Sequence, residues 1–496
     1  MTTPSGQDGE INIDYANHNR FATDSQGEDG FERSLTGRHI QFIAIGGAIG
    51  TGLFLGSGKS IALTGPSIVL VYMLVGAMMF VLMRAIGEML YQDPTQHSFI
   101  NFIGRYLGAG WGRFSGWSYW LVLLIIGMTE LTAVSQYFVT FFLGFGVNLA
   151  PWRWLIEVCT VALILLINLI SVKAFGETEF WFAMIKISLI IGMIITGIVM
   201  VMTHFSYPAH VVQGVAIPAG QASVTNIFQD YQLAPNGWMS FILSFQMVFF
   251  AYETIELLGN TVSETKDPRH VLPKAVNQII NRILIFYVGA LLAIMAIVPW
   301  KMFKPAADGS FASPFIMVFR FAGVNWASAL VFFVVITAAM SSMNSLVFTA
   351  GRQLYAVARR SHEPKLKALV KVSRHGVPAR AIMLSAAIIL VSPALSLLPG
   401  LPALFTLFSS TSSAVIIVIY VLVMIAHMRY RQSEDFLEDG FLLRGYQVWD
   451  RIAIVFFLFV YVTLFLSSET LLPALLGLVW FAGFGTFSLL VERRKG

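Results

Sequence analysis

The chain has 496 residues, 56% of them hydrophobic and only 12% charged, with a mean hydropathy of +0.73. A soluble domain carries about 25% charged residues, so this composition excludes one and reads as an integral membrane protein. The net charge of +5 does not call for nucleic acid, because it follows the loops, and the one cysteine, Cys159, leaves neither a disulfide framework nor a cysteine metal site.

Residues 1–34 are polar and acidic (Asp8, Glu10, Asp14, Asp24, Glu28, Asp29, Glu32). They are too poor in apolar side chains to form a core and read as a disordered cytoplasmic tail without a cleavable signal pattern. A bilayer core needs about 20 apolar residues per spanning helix. Segments of that kind begin near Ile40, Pro66, Phe114, Trp152, Phe180, Gly237, Ile279, Trp326, Pro378, Ala403, Val448 and Leu471. Continuous apolar runs rather than short alternating ones predict a helical bundle, not a barrel. The expected fold is therefore all-α integral membrane with twelve transmembrane helices. Lys and Arg gather in the N-terminal segment and in the loops around 259–282, 351–380 and 429–451, against Lys59, Arg153, Lys301 and Lys304 in the intervening loops. By the positive-inside rule both termini are cytoplasmic, in a cell membrane.

The first span reads IAIGGAIGTGLFLGSG from Ile43 to Gly58. Its glycines formally suggest a dinucleotide fingerprint, but the strand before, the amphipathic helix after and the later acidic residue are missing. Gly46/Gly50 and Gly52/Gly56 are small-x-x-x-small pairs suited to helix packing. Adjacent Gly46-Gly47 and Gly50-Thr51-Gly52 lie on different faces, which a break in the helix explains better. Unwinding there exposes the N–H groups of Thr51, Gly52 and Leu53 at the start of a half-helix, whose positive dipole end can hold a carboxylate.

In span two, Arg84 and Glu88 are spaced i,i+4, as a helix-stabilising pair or a gate. Span three looks long and carries Glu130, which either lines a pathway or pairs within the bundle. Lys186 lies deep in span five; a lysine kept out of water can trade its charged form for the neutral one, which makes it a proton carrier or else a fixed charge with a carboxylate partner. Span six holds Tyr252, Glu253, Thr254 and Glu256 at membrane depth. A carboxylate there costs at least about 2.5–3.5 kcal/mol on insertion scales, so each needs protein, water or a partner. Five spans separate this interruption from the first, the spacing of an inverted repeat with spans one and six equivalent. On that reading 35–430 is the transport core, and 431–496 adds spans eleven and twelve with a short tail. The stretch SPFIMVFRFAGVNW reads as an interfacial helix before span eight. Ser341 and Ser342, in AAMSSMNS, serve packing first and ligand or ion contact second. No histidine is singled out, no cofactor or metal is expected, and no nucleophile–base–orienter set suggests an enzyme.

The strings RHIQFIAIGGAIGTGLFLGSG, SVKAFGETEFWFAMIKI and IELLGNTVSETKDPRHVLPKAVNQI resemble the amino-acid transporter family of the amino acid–polyamine–organocation superfamily, nearest its D-serine/D-alanine/glycine permeases, from about Leu35 to the end. The resemblance implies a five-plus-five inverted repeat with broken helices one and six, and import of an amino acid with a proton in a bacterial membrane. It makes Thr51 and Gly52 the carboxylate binders, and the carbonyls of Ala48, Phe250 and Glu253 the receivers of the α-ammonium. Phe250 would cover the ligand, with Tyr252 and Thr254 also at the substrate, Lys186 would load and release the proton, and Glu256, the family's acidic residue after the break, would join it in proton coupling. Where the family often has a small residue, this chain has Glu253 within Tyr252-Glu253-Thr254. Small neutral amino acids (Ala, Ser, Gly, Thr, including D-forms) are the first expectation, cationic amino acids or histidine the second, and exchange without a net proton step an alternative mechanism. Amino acid, proton and lipid bilayer are the expected partners, with no nucleic acid and no obligatory protein.

Overall fold

Within the described region the first span begins at an extended Gly50 (φ −117°, ψ −160°), with helix starting at Thr51. The computed structural model describes residues 49–493 apart from 97, 213–214, 230, 262–266, 306–310, 312, 322–324, 362, 375 and 396–403. The tail at 1–34, the start of span one and Ala48 lie outside the described residues.

The principal helices are α1 (Thr51–Phe54), α2 (Gly56–Thr64), α3 (Ile68–Gln92), α4 (Ile100–Leu107), α5 (Ala109–Leu143), α6 (Arg153–Ile170), α7 (Val172–Met202), α8 (Gly237–Tyr252) and α9 (Leu257–Thr261). They continue with α10 (Pro268–Arg282), α11 (Ala290–Ile297), α12 (Pro314–Phe321), α13 (Asn325–Arg359), α14 (Ala379–Ile389), α15 (Leu404–Tyr430), α16 (Tyr446–Thr463), α17 (Ser468–Trp480) and α18 (Thr486–Arg493). Among the described residues, ten helical stretches are long and apolar enough to cross a membrane, and Ala379–Leu395 is a shorter apolar one. The protein is a mostly helical membrane bundle.

Burial sorts these helices. α5, α8 and α13 form the centre, with 78%, 83% and 83% of their most apolar windows inside the protein, whereas the windows of α6 and of the α17–α18 stretch are 28% and 22% buried. The outer helices present Leu163, Leu166, Val455, Val462 and Val479 outward, the apolar surface that a lipid solvent favours. α5 and α13 are the most extensively packed pair, and every other feature of the centre is built on them.

Three local features shape the core. Gly65 sits at φ +57° and Pro66 follows it; glycine tolerates that conformation and proline cannot continue the preceding helix, so α2 stops and α3 starts in a new direction. Span six breaks after Tyr252: Glu253 is extended in ψ (152°), Thr254 is at φ +79°, and helix resumes at Leu257. The connection after α7 contains β1 (Ser206–Tyr207) paired antiparallel with β4 (Gly220–Gln221) and β2 (His210–Val212) with β3 (Val215–Ile217), a small β element that an all-α expectation omits. Strand residues in so short a connection carry no periodic signal.

Two other expectations are corrected by packing. The helix expected at the interface, α12, buries Phe315, Ile316, Met317, Val318 and Phe321. Phe315 meets Phe54 edge-on at 4.7 Å, and Ser313 just before it donates to the Phe54 carbonyl at 2.7 Å. Arg84 and Glu88 do not pair with each other. Arg84 donates to Asn277 (3.0 Å) and lies over the Phe441 ring (3.8 Å), while Glu88 accepts from Arg431 Nη2 (2.9 Å) and the Leu443 N–H (2.6 Å). Partners about 190 to 360 residues away in sequence override the local i,i+4 spacing.

Candidate functional site

The helix that starts span one in the described region meets the interrupted span six. A Cβ added to Gly52 would lie 2.6 Å from the Ala251 Cα, and one on Gly56 would lie 2.8 Å from the Met247 sulfur. The half-helix of span one therefore runs against α8 backbone to backbone, a contact that only glycine at 52 permits. Both readings of the glycine run apply here: Gly50 begins the helix in an extended conformation, and Gly52 and Gly56 pack.

At this junction Gly50, Gly52, Ile126, Glu130, Phe250, Ala251, Glu253 and Thr254 line a small cavity. Its space for the centre of a water-sized sphere is about 10 Å³, room for one water at most. Phe250 is 4% exposed and its ring meets Phe405 of α15 edge-on at 5.8 Å. Tyr252 turns away from the cavity. It stacks on Tyr287 at 4.6 Å and donates to the Tyr72 carbonyl at 2.9 Å, while Tyr287 donates to the Ala251 carbonyl at 3.0 Å. These tyrosines pin the end of α8, so the break falls at a fixed place.

The Thr51 N–H, one of the donors expected to face a ligand carboxylate, donates to Glu130 Oε1 at 3.4 Å. Ser342 of α13 donates to the same oxygen at 3.1 Å. Glu130 Oε2 is buried with no hydrogen-bond partner among the described residues. Ser341, the neighbour of Ser342, donates instead to Glu179 Oε2 at 2.8 Å, and Asn344 donates to Glu179 Oε1 at 2.7 Å. Asn168 completes the chain by donating to the Asn344 oxygen at 2.7 Å. Lys186 is fully buried on α7, and its ammonium is coupled electrostatically to both Glu179 and Glu130. One cation thus serves two carboxylates from different helices, with α13 supplying hydroxyl and amide donors to both.

The two carboxylates of span six are engaged elsewhere. Glu253 accepts from Ser412 at 2.8 Å and from Ser413, both on α15. Glu256 accepts from Tyr420 at 2.7 Å and Tyr119 at 3.4 Å. Hydroxyl donors satisfy buried carboxylates without a countercharge. The two therefore fasten the broken segment to α15 and α5, and Glu253 directs its oxygens toward serines although it also lines the cavity.

Sequence reasoning passed over Glu179, Asn344 and His427. Glu179 had a legible signal: it lies seven residues before Lys186, two turns along one helix, on the same face. The set holds no group of three or more His, Cys, Asp or Glu side chains suited to a metal among the described residues.

An apolar helical bundle with an interrupted span lying over a buried polar network is the architecture of a membrane transporter. The amino acid permease family matches residues 39–488, and the chain belongs to that family. A DL-alanine permease of Lactococcus lactis subsp. cremoris is 44% identical over 457 residues, covering 92% of this chain and 95% of that protein. A serine permease of the same organism is 43% identical, with 92% and 97% covered. A D-serine/D-alanine/glycine transporter of Escherichia coli is 37% identical over 473 residues, with 94% and 96% covered. These relatives are permeases for small amino acids, not enzymes, and they do not favour the expectation of a cationic amino acid or histidine.

Proposed function

We propose that the chain imports small neutral amino acids of the serine, alanine and glycine class, in either enantiomeric form, together with a proton by alternating access. The carrying observation is that Glu130 links the start of the span-one half-helix, through its contact with the Thr51 N–H, to the network containing Lys186. With all three ionised, Glu130, Glu179 and Lys186 carry a net charge of −1, and one added proton makes the set neutral. A neutral buried set is cheaper to enclose than a charged one. Proton loading and closure over the ligand therefore favour each other.

In this reading the amino-acid carboxylate takes the place of Glu130 at the N–H groups of Thr51 and Gly52. The α-ammonium is received by main-chain carbonyls at Ala48, Phe250 and Glu253, and Phe250 covers the side chain. Lys186 passes the proton on toward the cytoplasm, and Glu256, held by two tyrosines, fixes the far half of span six. The cavity of about 10 Å³ is too small for an amino acid, so in this reading it widens to admit substrate. Twelve spans in a five-plus-five inverted repeat, with spans eleven and twelve peripheral and both termini cytoplasmic, complete the proposal; the interruptions near Gly50 and Glu253 support its repeat symmetry.

Uptake of labelled alanine and serine into proteoliposomes under an imposed inward proton gradient tests the reading. Accumulation above the external concentration, collapsed by a protonophore, is expected. Counterflow that requires internal amino acid and ignores the gradient would replace it with exchange.

A further inference from the structure

A second and much larger cavity, about 510 Å³, lies where α5 begins and α13 ends. It is separate from the residues assigned to transport, and its volume falls within the range of small-ligand sites. Its walls come from the segment before α4, from α4, from the first turns of α5 and from the last turns of α13 and the residues just beyond.

The charged side chains lining it are Arg105, Arg113 and Arg360, and no carboxylate is among the lining residues. Arg105 is already held by Asp93 at 3.2 Å and Asp435 at 2.8 Å. Arg113 makes one hydrogen bond, from Nη1 to the Ser488 carbonyl at 3.2 Å, which leaves most of its donors uncommitted. Arg360 is exposed and has no hydrogen bond or ion pair to another described residue. Glu492 approaches Gly108 and Gly110 on the outer side of α5 but does not line the cavity. Asn101 and Gln353 add neutral amides, while Phe102, Trp117 and Val357 supply an apolar wall.

The charge continues outside the cavity. From Arg359 to Arg380 the chain carries Arg359, Arg360, Lys365, Lys367, Lys371, Arg374 and Arg380 against Glu363 alone, and these cations are exposed. Charge asymmetry between loops accounts for such a basic connection. It does not account for two under-committed arginines, from different elements, lining one cavity with an apolar wall.

We infer that this cavity binds a phosphate-bearing anion, with Arg113 and Arg360 gripping the phosphoryl oxygens and the apolar wall receiving carbon atoms attached to it. Guanidinium forks match phosphate geometry. The site lies at the ends of two long apolar helices, where in the proposed topology they would leave the bilayer, and basic pockets at that depth hold anionic lipids. The same chemistry would accept a soluble phosphoester, so the source is decided by experiment. The inference does not depend on which amino acid is transported.

The full-length protein, purified in detergent, is to be examined by native mass spectrometry with phosphatidylglycerol or phosphatidylcholine added, and by thermal shift with inorganic phosphate or glycerol 3-phosphate. Selective retention of phosphatidylglycerol identifies a lipid site, and stabilisation by glycerol 3-phosphate without lipid selectivity identifies a soluble ligand. Each of Arg113→Gln and Arg360→Gln should weaken the effect about fivefold, and the double variant more. Lys371→Gln removes a charge from the same basic connection outside the cavity and should leave binding unchanged. The inference is overturned if neither ligand class binds, if the double variant binds as well as the unmodified protein, or if Lys371→Gln weakens binding as much as Arg360→Gln. Arg360 is exposed, so its variant folds even where Arg113→Gln does not.

Discussion

Two clusters of buried charge sit in this bundle, and they are built differently. Around Lys186, one cation faces Glu130 and Glu179, the remaining donors are hydroxyls and amides of α13, and one carboxylate oxygen has no hydrogen-bond partner among the described residues. Around Glu88, two basic side chains, Arg431 and His427, face two carboxylates. The His427 ring nitrogens lie 2.8 Å from Asp450 and 3.4 Å from Glu88, and the Leu443 N–H closes on Glu88 at 2.6 Å. The first cluster is short of positive charge and adjoins a cavity, the start of α1 and the break in span six. The second has as many basic as acidic side chains, although Asp450 Oδ1 is likewise without a hydrogen-bond partner among the described residues, and joins α3, α15 and α16. A mismatch leaves room for a proton or a ligand; matched partners resist rearrangement. The same residue types thus stand unbalanced beside a cavity in one place and balanced in the other, and the proposed function gives the first to transport and the second to cohesion.

That contrast can be broken by substitution. Arg431→Ala leaves Glu88 without its main partner, and removal of one member of a buried pair costs about 3–5 kcal/mol. A large fall in thermal unfolding temperature is expected, with KM for uptake unchanged in the protein that remains folded. Lys186→Met should act in the opposite sense, abolishing gradient-driven accumulation while leaving a folded protein that still binds alanine in a thermal-shift assay. If Lys186→Met concentrates substrate as well as the unmodified chain, Lys186 is not the proton carrier. Gly52→Ala places a methyl group against the Ala251 backbone; overpacking of about 1–3 kcal/mol should stop transport, whereas Gly483→Ala, where a Cβ meets nothing within 4 Å, should not. Glu130→Gln keeps an acceptor for Ser342 and Thr51, so uptake down a substrate gradient is expected to persist with its response to pH flattened. Least affected should be Glu253→Gln, which keeps an acceptor oxygen for one of Ser412 and Ser413 and turns an amide donor to the other, whose hydroxyl can still donate to the Ser409 carbonyl, and it should leave the preference for alanine over arginine unchanged in competition uptake.

The membrane class and the interruption of span six were legible because composition and polar residues at membrane depth are properties of the chain alone. Tyr252 to Glu256 could not be an ordinary apolar span, and the structure breaks there. What the sequence could not supply was the direction of side chains. Glu253 lies at the cavity yet turns its oxygens to serines some 160 positions on, and Glu88 finds Arg431 instead of Arg84 four residues away. His427 looks like a residue at the end of an apolar helix until Asp450 and Glu88 are folded against it. Long-range pairing of buried charge leaves no local period to read. Glu179 is different, since its two-turn spacing from Lys186 was present in the sequence and was overlooked.

Thr254 gives the broken helix a mechanical character. A β-branched residue at φ +79° occupies a conformation costing about 1–3 kcal/mol, and it persists because Tyr252 on one side and Glu256 on the other are tied to neighbouring helices. The interruption is therefore a loaded spring held between two anchors. Any movement that loosens an anchor and lets Thr254 relax has that energy to draw on, at the break in span six.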